Sequence, residues 1–327
     1  MAKRNTDMRP RRWLCLAAVL VLGVSMASAG RPRVALVLGG GGAKGAAEVG
    51  ALKVIEQAGI PVDYVVGTSI GSIVGGLYAC GYTPAQLDTM FRTQEWLSLL
   101  TDRRQDLAWD PYKVQDGVTY VFGFPVIDRS DTSFGVMKGE KIEALLDSMS
   151  GCSREISFDS LRIPFRCVAV DLKNTTEHVL SQGKLSRAMR ASMAIPGIFK
   201  PVHIDGMSLV DGGMLNNLPT DVARQMGADI VIAIDLQQEK QEERSYSLRD
   251  NLGIGGLLDW VVSRPDVKKY NQNLKLADIY INPRLPDYDA SSFGNKNAAR
   301  MMQIGEKAAL KVWPQLMKLR EKLTTTQ

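Results

Sequence analysis

Histidine is nearly absent from this 327-residue chain: there are two, His178 and His203, so a catalytic base drawn from imidazole has only those candidates. Cysteine is scarce too, with four in all. Cys15 falls in a segment expected to be removed. Cys80, Cys152 and Cys167 are odd in number and show no metal-ligand spacing, so neither a disulfide framework nor a zinc site follows. There is no Asp-rich calcium loop. The apolar run from Trp13 to Val24 is about a dozen residues, short of the ~20 that span hydrocarbon. A large charge of one sign is also missing: the net +5 falls to +1 once residues 1–29, with five basic residues and Asp7, are set aside. That leaves no basic stripe for nucleic acid. Apolar residues at 45% and charged residues at 23% exclude disordered, collagen-like and multispanning chains and predict a sizeable core.

What is present starts with an export signal. Lys3, Arg4, Arg9, Arg11 and Arg12 precede the apolar run, and Ala27-Ser28-Ala29 follows it, the three parts of a secretory signal peptide. Residues 1–29 are read as that signal and 30–327 as the mature domain, exported across the inner membrane and either periplasmic or secreted. The Arg11-Arg12 pair hints at a twin-arginine route without fixing it.

Strand and helix signals alternate after residue 33. Val34–Leu38 is a short apolar run, and Ala46–Gln57 spaces Val49, Leu52, Val54 and Ile55 as a helix does. Tyr64–Val66 reads as a buried strand and Ile70–Cys80 as an apolar helix. This alternation predicts a parallel sheet with right-handed crossovers. Further strands are expected at Phe165–Val170, Ser208–Val210 and Ile230–Leu236. Residues 94–160 read as a cap or insertion, with a hairpin near Tyr120–Phe124, a helix near Lys138–Met149, and apolar Trp96, Leu97, Leu99, Leu100, Phe122 and Phe124 that either meet lipid or pack as core. Residues 237–327 read as a C-terminal extension. It opens with a polar loop over 237–250, and Asn295–Trp313 is a closing helix before Pro314.

The Gly-rich turn Gly39-Gly40-Gly41-Gly42-Ala43-Lys44-Gly45 joins the first strand to the first helix. Its N–H groups can converge on an anion with the helix dipole behind them. Gly40, Gly42 and Gly45 satisfy G-x-G-x-x-G, but a dinucleotide site wants an acid about 20 residues on, at the end of the second strand. That strand ends in Gly67-Thr68-Ser69 instead. A P-loop wants Lys directly after the last glycine, where Ala46 stands. An oxyanion-binding loop is the third reading, and Gly67-Thr68-Ser69-Ile70-Gly71 supports it, because G-x-S-x-G between strand and helix is the setting of a nucleophile elbow.

A serine nucleophile needs a base. The usual order of serine, acid and then histidine cannot be completed with a late histidine, since none follows residue 203. His178 lies in a polar stretch. His203 alternates with Val202 and Ile204 as on a half-exposed strand. Both read as surface residues. Asp211-Gly212-Gly213, after apolar Leu209-Val210, is the best-placed carboxylate, although Asp-Gly-Gly alone is a commonplace turn.

Taken in order, Gly40-Gly41-Gly42-Ala43-Lys44-Gly45, Gly67-Thr68-Ser69-Ile70-Gly71 and Asp211-Gly212-Gly213 resemble the three motif blocks of the patatin-like phospholipases. Ala191-Ser192, Ile195-Pro196-Gly197-Ile198-Phe199 with Pro201, and Asn216-Asn217-Leu218-Pro219 resemble the bacterial branch. The likeness is strong over residues 33–236. It implies an α/β class chain with a three-layer α/β/α patatin-like fold and a mainly parallel central sheet. It also implies Ser69 as nucleophile, Asp211 as general base, the amides of Gly40, Gly41 and Gly42 as oxyanion hole, and no cofactor or metal. The expected substrate is a lipid or membrane surface; oligomeric state is left open. Lys44 stands where the family often has Arg, keeping the charge but losing the fork, and is assigned to anchoring or electrostatic support of the loop. Relatives of this kind can carry a C-terminal outer-membrane barrel, and none is expected here. The alternatives are an esterase or thioesterase for small soluble substrates, and a non-catalytic lipid-binding protein.

Exported protein should begin at Gly30, which intact-mass measurement checks. A product that keeps Trp13–Val24 and pellets with membranes would show an uncleaved anchor.

Overall fold

A computed structural model describes residues 31–129, 135–237 and 267–325. The expected signal at 1–29 and the expected loop beyond residue 237 lie outside the described residues. In chain order the elements are β1 (Val34–Leu38), α1 (Ala46–Gln57), β2 (Tyr64–Thr68), α2 (Ile70–Cys80), α3 (Pro84–Thr93), α4 (Trp96–Thr101), β3 (Lys113–Gln115), β4 (Val118–Val121), β5 (Phe124–Asp128) and α5 (Glu140–Ser150). There follow β6 (Glu155–Ser157), β7 (Phe165–Asp171), β8 (Thr176–Leu180), β9 (Gln182–Lys184), α6 (Leu185–Ser192), β10 (Val202–Ile204), β11 (Met207–Asp211), α7 (Thr220–Gln225), β12 (Ile230–Ile234), α8 (Val267–Leu274), β13 (Ile279–Ile281), α9 (Asn295–Lys311) and α10 (Trp313–Thr325).

The central run β7-β2-β1-β12-β13 is parallel throughout, while β8, β10 and β11 add antiparallel pairings at one side. All five residues of β1 are fully buried. Val34, Leu36 and Leu38 join the core under α1, α2 and α9; Ala35 and Val37 join the smaller core with Val222 of α7 and Tyr270 of α8. A strand covered on both faces needs continuous rather than alternating apolar residues, and β1 and β12 have them. Helices on both faces of the sheet make the expected three layers.

The registers decide where the strands end. Residues Cys167–Asp171 of β7 pair with β8 along one edge. The other edge is shared: β2 occupies it through Phe165–Val168, and β11, running the opposite way, occupies it through Ala169–Asp171. Thr68 thus lies opposite Val168 and Asp211 opposite Ala169. The C-terminal ends of β2 and β11 meet head to head on adjacent residues of β7, and the two strands never pair with each other.

Two elements differ from expectation. The closing helix stops at Lys311 and a second helix, α10, begins at Trp313 with Pro314 in its first turn. Proline ends a helix, but it equally starts one, because a first-turn N–H has no intrahelical acceptor to lose. Helix α3 lies outside the expected elements, although its signal is legible. Thr83 Oγ1 accepts from Gln86 N–H at 3.3 Å and Gln86 Oε1 accepts from Thr83 N–H at 2.9 Å, a capping box with Pro84 at the helix start. The 94–160 segment contains α4, the three-stranded sheet β3-β4-β5 and α5.

Helices α1 and α9 cross at glycines. A Cβ on Gly50 would stand 1.9 Å from the Met302 carbonyl oxygen, and one on Gly305 would stand 1.8 Å from that of Ala47. Replacing an ordinary mid-helix glycine with alanine stabilises by roughly 0.5–1 kcal/mol. Here the sign should reverse: Gly50→Ala and Gly305→Ala should each destabilise by about 1–3 kcal/mol, the cost of overpacking. Urea denaturation of the two variants checks this.

Candidate active site

Ser69 sits between the end of β2 and the start of α2 with φ 55° and ψ −125°, a conformation that non-glycine residues rarely adopt. The surroundings hold it there. A Cβ on Gly67 would stand 2.3 Å from the Gly71 carbonyl oxygen, and one on Gly71 would stand 2.4 Å from that of Leu38. The two glycines of the motif therefore serve different contacts: the first lets the turn close on itself, and the second lets it pass over β1. Ser72 Oγ and N–H both donate to the Ser69 carbonyl, at 2.6 and 2.9 Å, and Thr68 Oγ1 donates to the Asn216 carbonyl at 2.9 Å.

Because β2 and β11 end on adjacent residues of β7, Ser69 and Asp211 face each other. Ser69 Oγ donates to Asp211 Oδ2 at 2.7 Å. Asp211 Oδ1 accepts from Gly213 N–H at 2.7 Å, the Asx-type turn that Asp-Gly-Gly favours. The Asp211 N–H donates to Ala194 carbonyl at 2.9 Å. Asp211 is fully buried. Burial pushes its carboxyl up to about 6, against the opposing hydrogen bonds from Ser69 and Gly213. At neutral pH it is still mainly ionised and can take a proton.

The glycine loop lies beside Ser69 with its donors in different states. Gly39 N–H donates to Ile234 carbonyl at 3.0 Å and Gly40 N–H to Asn217 carbonyl at 3.2 Å. The N–H groups of Gly41 and Gly42 have no hydrogen-bond partner among the described residues. Asn217 Nδ2 donates back to Gly40 carbonyl at 3.1 Å, clamping the loop. Lys44 is largely buried; its charge helps hold the Asp289 carboxyl below its usual range, after the serine hydrogen bonds to that group. Deeper in the molecule lie two buried acids. Burial first, and the Asp235 charge second, push Glu48 of α1 well above the carboxylate range. Asp235 itself accepts from the Tyr270 hydroxyl, from the Tyr280 hydroxyl at 2.7 Å and from Gln237 N–H at 2.9 Å.

An apolar cavity of about 170 Å³ opens at Ser69. Ile70, Ile73, Trp96, Ile195, Phe199 and Phe293 are among its walls. Trp96 is buried, stacks on Phe293 with ring centroids 5.7 Å apart, and donates its indole N–H to Phe91 carbonyl at 3.0 Å. Of the six apolar residues singled out in the 94–160 segment, Trp96 therefore packs inside, while Leu97 and Phe122 are at least half exposed. The cavity can hold a hydrocarbon group next to a hydroxyl that is already hydrogen-bonded to a carboxylate.

Neither histidine is hydrogen-bonded to Ser69 or Asp211. His203 is exposed on β10, its Nδ1 3.1 Å from Ser208 Oγ. His178 lies half-buried on β8, opposite Ala169. The sequence reading missed the work of Ser192, whose Oγ accepts the Ser69 N–H at 3.0 Å and donates to Val168 carbonyl at 2.6 Å. It also missed the Asn217 clamp. Both residues lay in stretches already noted, yet a serine or asparagine in a loop carries no mark of its long-range partner.

The patatin-like phospholipase family model matches residues 36–224. Patatin-like phospholipase domain-containing protein 6 of Homo sapiens is 36% identical over 214 residues, 65% of this chain and 14% of that protein. An uncharacterized NTE family protein of Mycobacterium tuberculosis is 33% identical over 205 residues, 63% of this chain and 49% of that one. The aligned stretch spans less than half the length of either relative. Among solved structures, VipD from Legionella pneumophila shares the fold with a TM-score of 0.50 at 14% identity, covering 87% of this chain and 67% of that one.

Ionisation of Asp211 should control the reactivity of Ser69. The rate of Ser69 labelling by a fluorophosphonate should be level above pH 7 and fall through a midpoint near 6, roughly tenfold per pH unit below it, as one protonation requires. A flat profile from pH 5 to 8 would remove Asp211 from the reaction.

Proposed function

Since this chain belongs to the patatin-like phospholipase family, we propose that it hydrolyses acyl ester bonds of phospholipids or related lipids, with Ser69 as nucleophile and Asp211 as its base. The observation that carries this reading is the 2.7 Å hydrogen bond between the two residues at the mouth of an apolar cavity. Ser69 Oγ attacks the ester carbonyl while its proton passes to Asp211 Oδ2. The carbonyl oxygen becomes an oxyanion, for which the uncommitted N–H groups of Gly41 and Gly42 are the available donors; the Gly40 N–H is held by Asn217. Asp211 then gives the proton to the departing alkoxide, leaving an acyl group on Ser69. A water, deprotonated by the same carboxylate, attacks that ester and releases the fatty acid.

A base near pH 6 suits both halves of the cycle: it is ionised at neutral pH, yet its conjugate acid is strong enough to protonate the leaving group. The acyl chain occupies the cavity behind Ile70 and Trp96. A soluble ester with a short acyl group would fit the same space, so a lipid panel run beside a short-chain ester separates the two substrate classes. A purely lipid-binding role gives no reason to keep the Ser69–Asp211 bond in a strained turn. The basic and apolar N-terminal segment supports export, and hence a periplasmic or secreted site of action.

Ser69→Ala and Asp211→Asn should abolish ester hydrolysis in folded protein, since loss of a nucleophile costs on the order of 10⁶ in turnover. His178→Ala and His203→Ala should each stay within about tenfold of the parent, ~1.4 kcal/mol on the barrier. A folded histidine variant as inactive as Ser69→Ala would restore a histidine-based mechanism.

A further inference from the structure

The small sheet β3-β4-β5 is amphipathic in the wrong sense for a protein surface. Its registers place Val114, Thr119 and Ile127 in one row across the three strands, and Gln115, Val118 and Asp128 in the next row, on the opposite face. The Asp128 side chain is 5% exposed and meets Lys138 Nζ at 3.1 Å, so its face points into the protein. Val114 and Ile127 are 54% and 51% exposed. An antiparallel sheet with one solvated face ordinarily turns its polar residues outward. Here Asp128 points in beside buried Val118, while Val114 and Ile127 are exposed on either side of Thr119, which is itself buried.

The turn between β4 and β5 adds an independent sign. Phe122 and Gly123 both have positive φ, 48° and 79°, as a two-residue hairpin turn requires, but asparagine or glycine normally fills such positions. A bulky aromatic residue held there is strained. Phe122 is half exposed, and its N–H donates to Asp110 carbonyl at 2.9 Å, tying the turn to the 109–112 segment, where Trp109 is 92% and Tyr112 66% exposed. The patch is linked to the cavity through the chain that follows α4. Leu97 and Thr101 of α4 line the cavity. Just beyond them, Arg103 Nε donates to Phe122 carbonyl at 3.2 Å and Arg104 N–H to Gly123 carbonyl at 2.8 Å. Residues 102–129 carry four basic and five acidic side chains, so the surface has no charge excess for an anionic partner.

We infer that the outer face of β3-β5 and its Phe122 turn dock on a zwitterionic phospholipid bilayer, bringing the mouth of the Ser69 cavity to the lipid surface. The choice of a bilayer rests on the acyl-hydrolase reading above. Tryptophan and tyrosine suit this place because their rings are apolar with one polar edge, the combination that settles at headgroup level. Apolar insertion rather than charge makes the attachment insensitive to salt.

The test uses mature Ser69→Ala protein beginning at Gly30, which cannot consume its target, sedimented with phosphatidylcholine vesicles. The parent should bind equally at low and high salt. Trp109→Ala with Phe122→Asn should weaken binding by roughly tenfold or more, since even one buried large apolar side chain is worth about that factor. Asparagine suits the positive φ at residue 122, and Ile127→Thr, which keeps a β-branched side chain, gives a second variant expected to weaken binding. With Ser69 intact, all three substitutions should leave hydrolysis of a short soluble ester within about twofold, a change well under the ~1.4 kcal/mol that marks a tenfold barrier effect. Binding equal to the parent in both variants overturns the proposal, as does binding that collapses with salt. A parent that ignores vesicles overturns it too; if size-exclusion chromatography then shows a dimer that Trp109→Ala with Phe122→Asn dissolves, the patch belongs to a second copy. Absence of any ester hydrolysis with Ser69 intact would sink the acyl-hydrolase reading instead, and the vesicle measurements would still decide the surface.

Discussion

The hydrogen bond from Ser69 to Asp211 spans a junction between two strands that do not pair with each other. β2 arrives from one end of β7 and β11 from the other, and they stop at Val168 and Ala169, neighbours on one edge. The rest of the centre is arranged around that gap. Ser192 from the end of α6 bridges it by joining the Ser69 N–H to the Val168 carbonyl. Ala194 holds the backbone of Asp211, and Asn216 takes the hydroxyl of Thr68. A shift of one residue in either strand would turn a side chain to the other face of the sheet and break the pair.

Burial of that junction sets its chemistry. A carboxylate wholly removed from water would be driven neutral. Two hydrogen bonds to Asp211 limit the rise, leaving a group that titrates near 6, between an ordinary carboxylate and an imidazole. A carboxylate so placed lies in the range where histidine usually titrates, in a chain with only two histidines. Ser69 N–H and Gly40 N–H are taken by Ser192 and Asn217. Among the described residues this leaves the N–H groups of Gly41 and Gly42 free, and Gly42 lines the apolar cavity together with Ser69.

The 94–160 segment supplies part of the cavity wall, beside Ile70, Ile73, Ile195, Phe199 and Phe293 from elsewhere in the chain. Trp96 is fixed between Phe91 and Phe293 and forms wall, whereas Leu97, one residue on, is both wall and surface. Arg190, buried beneath, holds the segment down through the carbonyls of Lys138 and Lys200, with its guanidinium over the Phe199 ring. A short helix and a small sheet so anchored can present apolar residues to the outside without loosening the central sheet.

The parallel core was legible in the sequence because strands buried on both faces must be continuously apolar, and Val34–Leu38 and Ile230–Ile234 are. The candidate nucleophile was legible because a sharp strand-to-helix turn admits few residues, so Gly67 and Gly71 mark Ser69 from either side. Helix α10 was hidden by a proline that can end or begin a helix, and α3 was overlooked despite its capping box. Ser192, Asn217 and the outward apolar face of β3-β5 could not be read from the chain, since their meaning lies in partners and directions set far along it. The sequence alone determined which residues have the chemistry and the backbone freedom to act. Only the tertiary structure decided that Ser69 and Asp211, 142 positions apart, would touch, because that contact depends on where two strands stop along the edge of a third.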